Sequence, residues 1–182
     1  MRPTLEMISK TILLLLASAV TTLAEYRNIY GETLQDCSTA GMALTGYTRT
    51  GQCVDQYDDR GSHHICIDLS SMNNSGAGNF CQVTGQPDWC SKNMPCVESA
   101  NMDCPVKNWC VCQWAFSSYI ERAGGCDKIQ DIVCEAINME AYISYKGIVE
   151  NDSFTGDKSR FENALACIED RCDHSRIEQS LS

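Results

Sequence analysis

The sequence is poor in positive charge. Its 182 residues carry 14 Lys and Arg against 24 Asp and Glu, which gives a formal net charge of −10. Binding to nucleic acid and binding to anionic lipid both depend on clustered basic side chains that face phosphates. We therefore expect no nucleic-acid partner and no membrane association of the mature chain.

The sequence also lacks the short motifs that mark several common activities. Its glycines form neither a phosphate-binding loop nor a dinucleotide-binding fingerprint. The acidic residues from Asp55 to Asp68 lack the spacing of a calcium-binding loop, and Asp58–Gly61 is typical of a charged turn. No G-x-S-x-G elbow presents a nucleophile. We expect no cofactor and can assign no catalytic residue from these motifs.

Long apolar runs are absent except near the start of the chain. Residues 1–24 combine basic Arg2 and Lys10 with an apolar stretch of about nine residues, Ile12–Val20, and small residues before Ala24. Because that stretch spans less than half of a bilayer core, it predicts a cleaved secretory signal rather than an anchor. We therefore expect a secreted protein, found in the secretory lumen or outside the cell.

Cysteine is abundant in the rest of the chain. The oxidising compartments through which secreted proteins pass pair such residues, so the 13 cysteines predict six disulfides and one remaining thiol. That thiol has three open interpretations: a buried inert group, an intermolecular disulfide to a partner, or a reactive group. The disulfide candidates are Cys37, Cys53, Cys66, Cys81, Cys90, Cys96, Cys104, Cys110, Cys112, Cys126, Cys134, Cys167 and Cys172.

Two Asn-x-Ser sequons fit the same compartment. Asn73 and Asn151 each stand two residues before a serine, in polar stretches that are typical of surface turns. We expect both side chains to accept a glycan.

The hydrophobic pattern is that of a single compact α+β domain with a small mixed sheet, about two helices and a long disulfide-stapled loop region. His63–Leu69 and Trp109–Trp114 predict short strands. Residues 70–108 predict the loop region, because they are irregular and a loop of that length needs covalent ties.

Two segments predict helices. One covers residues 115–125 and ends at paired glycines, and the other covers Ser159–Asp173. In the second, Ser159 is the expected N-cap and Glu162 completes a capping box. Residues 127–145 are compatible with either a helix or a strand.

The residues that suggest chemistry are a C-x-C pair and one histidine. Cys110 and Cys112 point to the same side of a predicted strand, and Cys66 with His63 would complete a tetrahedral zinc site. His64 would face the opposite side, so at most one histidine joins such a site. In a secreted chain, disulfides are the expected alternative for these cysteines.

Four segments resemble the family known as domain of unknown function 2237. The segments are Asn28–Ser38, Thr45–Cys53, Asp59–Cys66 and Trp109–Trp114, and they occur in that family's order. The resemblance covers about residues 28–145 and implies a mixed α/β core, with a strand rather than a helix over Ile132–Asn138. It implies no activity.

The resemblance also implies two classes of cysteine. Relatives without a secretory signal have cysteines at the positions of Cys37, Cys53, Cys66, Cys110 and Cys112, although disulfides are rare inside cells. We infer that these five descend from a thiol or metal site, and that the other eight are later staples that pair among themselves. A bond from Cys37 or Cys66 to one of the eight would contradict this division.

These observations divide the chain into three parts. Residues 1–24 are the expected signal peptide, residues 25–145 the cysteine-rich domain that resembles the family, and residues 146–182 a C-terminal helical extension. The expected function is a binding or structural role without catalysis. The alternative is a thiol-redox or zinc-binding protein that uses Cys66, Cys110, Cys112 and His63.

Overall fold

The computed structural model describes residues 26–71 and 78–182. The predicted signal and the sequon at Asn73 lie outside these residues. No helix in the described part is long and apolar enough to cross a bilayer. In chain order the elements are β1 (Ile65–Asp68), α1 (Phe80–Thr84), β2 (Asn93–Pro95), β3 (Asp103–Pro105), β4 (Asn108–Val111), α2 (Gln113–Ala123), β5 (Asp131–Ile132), α3 (Met139–Glu150), α4 (Ser159–Arg171) and α5 (His174–Ser180).

A three-stranded sheet forms the centre of the domain, with β1 between β4 and β5. Both pairings are antiparallel, and Ile65 and Ile67 of β1 lie opposite Val111 and Trp109 of β4. All four of these side chains are buried. The centre of the sheet is therefore the middle of the core.

The loop region predicted over residues 70–108 contains local structure held by two disulfides. Cys81–Cys90 closes the segment that begins with helix α1, and Cys96–Cys104 links the β2–β3 hairpin. Trp89 packs against Trp109 of the central sheet, with 5.5 Å between ring centroids. The region is thus stapled as expected and is also anchored to the core.

Helices α2, α3 and α4 pack against one another and share one core with the sheet, in which they bury large aromatic side chains, among them Phe116, Tyr119 and Tyr145. Helix α2 ends as predicted, because Gly124 adopts the left-handed conformation with φ of 89°. Helix α4 begins at Ser159, but the predicted capping box is wrong. Lys158 is the N-cap residue and makes no side-chain cap, and the Asp157 carboxylate accepts the Ser159 N–H instead.

The ambiguous segment contains both kinds of structure. Strand β5 ends at Ile132, a turn of 3-10 helix covers Cys134–Ala136, and α3 begins after Asn138, whose side chain caps it. The strand implied over Ile132–Asn138 is therefore realised only at its first residue. Helix α3 also crosses the expected boundary between residues 145 and 146.

The α+β class is confirmed, with differences in the elements. The described residues form five α-helices rather than about two. The strand pairings of the two small sheets are all antiparallel, where a mixed sheet was expected.

Candidate thiol site

Six disulfides and one thiol account for the cysteines, all of which lie in the described part of the chain. The bonds are Cys37–Cys66, Cys53–Cys110, Cys81–Cys90, Cys96–Cys104, Cys126–Cys167 and Cys134–Cys172. Cys112 is free. The pairing follows the inferred division, since the first two bonds join family-type cysteines and the other four join the eight staples.

The expected zinc ligands are not assembled into one set. Cys66 and Cys110 are direct neighbours across β1 and β4, yet Cys66 is bonded to Cys37 and Cys110 to Cys53. Zinc binds the thiolate form of cysteine, so neither sulfur is available as a ligand in this oxidised form. Of the four residues, Cys112 and His63 keep free functional groups.

Cys112 and His63 line the same pocket, which has a volume of about 330 Å³. Arg49 and Gln86 also contribute polar groups to the lining. The apolar part of the lining consists mainly of Phe80, Trp89, Met94 and Trp109. The described lining contains no Asp or Glu.

Cys112 occupies the junction between β4 and α2, where it is the N-cap residue of the helix. Burial raises the pKa of the Cys112 thiol, and the negative charge of nearby Asp59 raises it further. The backbone N–H groups of Ala115 and Trp114, in the first turn of α2, act in the opposite direction and do not outweigh burial. The thiol is therefore protonated at neutral pH and is a weak nucleophile until a base takes its proton.

His63 is held by the carboxylate of Asp59. Its Nδ1 atom lies 2.8 Å from Asp59 Oδ1, and its backbone N–H donates to Asp59 Oδ2 at 2.8 Å. The backbone N–H of Gly61 donates to the same carboxylate. An ionised carboxylate only accepts hydrogen bonds, so Nδ1 carries the proton and Nε2 is left as the basic nitrogen.

The Asp59 carboxylate stays ionised although its side chain is only 1% exposed. Burial opposes ionisation, but the hydrogen bonds from the backbone and ring of His63 and from Gly61 outweigh it and lower the pKa of Asp59. The predicted turn at Asp58–Gly61 supplies this geometry, because the Ser62 N–H donates to the Asp59 carbonyl oxygen at 3.0 Å. The turn therefore holds the buried, negatively charged carboxylate of Asp59 against the Nδ1 atom of His63.

Arg49 reaches the pocket from a second turn, in which its N–H donates to the Gly46 carbonyl oxygen. Its guanidinium carbon lies 5.1 Å from the centroid of Trp109, a cation–π contact. Tyr47 of the same turn stacks on His63, with 6.1 Å between ring centroids. The two turns thus present Arg49 and His63 side by side with Cys112.

In the part of the chain that the structure describes, the non-glycine residues with a positive φ lie in these two turns. Among the described non-glycine residues, Arg49 and Ser62 have a positive φ, of 54° and 47°. This left-handed conformation costs an L-residue about 1–3 kcal/mol and persists where the surroundings enforce it. Arg49 lines the pocket and Ser62 directly precedes His63, so both strained residues position pocket side chains.

His64 is not part of the pocket lining, and the strand predicted from His63 begins only at Ile65, after both histidines. The ring of His64 is buried, with Nδ1 2.9 Å from Gln113 Oε1 and Nε2 3.1 Å from Asp55 Oδ1. His64 therefore links β1 to the start of α2 and to the preceding loop.

The sequence pattern predicts Cys112 and His63 as site residues. It assigns no role in the site to Arg49, and at Asp59 it predicts only a turn. Arg49 and Asp59 both lie in segments that resemble the family, and this resemblance is the sequence feature that could have pointed to them. The number of residues between two segments does not tell how far apart the segments lie in the folded protein.

Comparison with known proteins supports the resemblance. No curated protein matches the chain. A family model described as an uncharacterised protein conserved in bacteria matches residues 27–142, more than half of the chain. Arg49, Asp59, His63 and Cys112 all lie within the matched residues. The chain therefore belongs to the family of domain of unknown function 2237.

Proposed function

We propose that this domain carries a cysteine-dependent reactive site, in which Cys112 supplies the nucleophile and His63 accepts its proton. One observation carries the proposal. The single free thiol among the described residues lies in the same pocket as an imidazole whose far nitrogen is bound by a buried carboxylate.

The three side chains divide the work as a nucleophile, a base and an orienting group do. The thiol proton passes to His63 Nε2 as the sulfur adds to an electrophilic, doubly bonded carbon of a small molecule in the pocket. A C–S bond forms, the π bond at that carbon breaks, and the atom that receives the electron pair takes the proton back from His63. Asp59 stabilises the imidazolium that results, because its charge lies on the opposite side of the ring. The N-terminus of α2 favours negative charge on the sulfur.

The thiol and the imidazole share the pocket without a hydrogen bond between them. Catalytic hydrogen bonds are often long before a substrate binds and shorten in its complex. His63 is 37% exposed at its side chain, so the ring can be reached by a ligand that enters the pocket from solvent. A ligand that excludes water from the pocket would favour the hydrogen-bonded arrangement.

This proposal narrows the alternative drawn from the sequence. It keeps Cys112 and His63 and needs neither zinc nor a thiolate at Cys66 or Cys110. Six disulfides are typical of extracellular and secretory proteins, and we propose that the site works in that compartment.

The test is the rate at which iodoacetamide alkylates Cys112 in the oxidised, folded protein, followed by intact mass. At pH 7 we expect His63→Gln to lower this rate about tenfold or more, because general-base assistance is worth about 10²–10⁴-fold. His174→Gln is the matched control, since His174 is exposed on α5. Cys112→Ser should abolish labelling. Equal rates in the wild type and a folded His63→Gln variant would overturn the proposal.

A further inference from the structure

We propose that the ligand of the Cys112 pocket is a small organic acid with a flat apolar body. Arg49 binds its carboxylate, and the aromatic wall binds its body. This inference rests on the proposed thiol site only in that it names the ligand of the same pocket.

The charge distribution favours an anion. The chain carries a formal net charge of −10, yet the described lining contains Arg49 and His63 and no acidic side chain. The carboxylate of Asp59 lies behind His63, is buried and accepts three hydrogen bonds from the turn. Arg49 is therefore the permanently charged side chain of the described lining, and its guanidinium is the group with which an anion would pair.

Arg49 has the geometry to recognise a carboxylate. Its guanidinium lies over the face of Trp109, and none of the described ion pairs includes Arg49. A guanidinium stacked on an aromatic ring keeps its N–H edge available, and that edge binds a carboxylate through two parallel hydrogen bonds.

The apolar part of the pocket lining determines which kind of uncharged group the ligand carries. Trp89 lies 5.5 Å from Trp109 and 6.0 Å from Phe80, measured between ring centroids. Aromatic faces of this kind bind flat apolar groups by stacking and edge contacts. The volume of about 330 Å³ is close to the lower limit of about 300–1,000 Å³ for small-molecule sites. A single-ring acid fits this description better than a peptide or a nucleotide.

Three probes separate the two parts of the pocket. Phenylacetate carries both the ring and the charge, phenylacetamide carries the ring alone, and acetate carries the charge alone. Calorimetric titration of the Cys112→Ser variant measures their affinity without interference from the thiol. We expect phenylacetate to bind about tenfold or more tightly than phenylacetamide, since a charged bidentate pair exceeds a neutral contact by about 1.4 kcal/mol or more. It should also bind more tightly than acetate, because acetate has no ring to bury against the aromatic side chains.

Two arginine variants locate the charge recognition. Arg49→Gln should remove the preference for phenylacetate over phenylacetamide. Arg60→Gln should retain it, because Arg60 is exposed and does not line the pocket although it carries the same charge. Equal affinity for phenylacetate and phenylacetamide, or an unchanged preference in Arg49→Gln, would overturn the inference.

Alkylation measured in the presence of phenylacetate distinguishes a failure of this inference from a failure of the proposed function. Phenylacetate should slow alkylation of Cys112 in the wild type and leave it unchanged in Arg49→Gln. If phenylacetate binds but alkylation does not depend on His63, the thiol proposal fails and the ligand class stands. If alkylation depends on His63 but phenylacetate neither binds nor protects, the ligand class fails and the thiol proposal stands.

Discussion

The carboxylate of Asp59 lies 2.8 Å from the Nδ1 atom of His63, which is four residues further along the chain. The carboxylate is 1% exposed and the imidazole is 37% exposed. One turn therefore buries the charge and presents the basic nitrogen to the pocket. This arrangement leads to the first two predictions.

Asp59→Asn should slow alkylation of Cys112 at pH 7 toward the rate of His63→Gln. The Asn side chain still accepts a hydrogen bond in the turn, but it lacks the charge that stabilises the imidazolium. Asp58→Asn is the control, since Asp58 is exposed and precedes Asp59 directly. A rate in Asp59→Asn equal to that of the wild type would show that the carboxylate does not act on the imidazole.

The same carboxylate should give a pH-dependent contribution to stability. Its pKa is lowered in the folded protein, so its contribution is fully present above the usual carboxyl pKa of about 3.9 and is lost as the pH falls through the lowered value. At pH 7 we expect Asp59→Asn to lower the free energy of unfolding by about 2 kcal/mol, the size of hydrogen bonds to a charged group. Urea unfolding at pH 7 and pH 3 measures the difference, which should shrink at the lower pH. A difference independent of pH would contradict the lowered pKa.

Replacing Arg49 should affect the stability of the fold and the recognition of the ligand in different ways. Arg49→Gly and Arg49→Ala both remove the guanidinium, but only glycine adopts a φ of 54° without strain. We expect the glycine variant to be more stable than the alanine variant by about 1 kcal/mol. Neither should discriminate phenylacetate from phenylacetamide. Thermal unfolding measures the first difference, and equal stability of the two variants would show that the backbone is relaxed at this position.

The disulfides should contribute unequally to stability. Cys126–Cys167 spans 41 residues and Cys96–Cys104 spans 8. Because a longer closed loop restricts the unfolded chain more, removal of the first bond should cost about 4 kcal/mol and removal of the second about 2.5 kcal/mol. Paired Cys→Ser variants compared by urea unfolding provide the test. A larger loss for the short loop would show that native packing, rather than chain entropy, decides the contribution.

Secretion and glycosylation can be tested together. Asn151 is exposed at the end of α3, in a turn where its side chain accepts the Ser153 N–H and its carbonyl oxygen accepts the Phe154 N–H. Expressed from Met1 in a secretory cell line, the chain should reach the medium with a glycan at Asn151 and another at Asn73. Enzymatic deglycosylation should lower the mass, and Asn151→Gln should remove one of the two steps. Retention of unglycosylated chain inside the cell would contradict the predicted signal.

The sequence predicted the parts of the molecule that depend on local patterns. Gly124 ended α2 where a left-handed residue was expected. His63 lines the pocket and His64 does not, but strand alternation is not the reason, because β1 begins at Ile65. Local patterns failed where tertiary contacts decide. The hydrophobic pattern of residues 127–145 is compatible with both a helix and a strand. The short β5 exists because it pairs with Ile67 and Asp68 of β1.

The pocket itself was beyond such patterns. Arg49, His63 and Cys112 are brought together by two turns and a sheet register, and none of these fixes a distance until the chain is folded. The division of the cysteines was predictable because it rested on the family resemblance. The individual disulfide partners were not predictable, since thirteen cysteines permit many pairings and their spacing in the sequence does not favour one of them.

The free thiol has a consequence for how the chain matures. Cys112 follows Cys110 by two residues, and Cys110 must find Cys53, which is 57 residues earlier. During oxidative folding the two thiols compete for the same distant partner, so we expect mispaired species that require reshuffling, the slow step of such folding. The thiol that we propose to be reactive is therefore also expected to slow oxidative folding, and a disulfide isomerase should speed recovery of the native pairing.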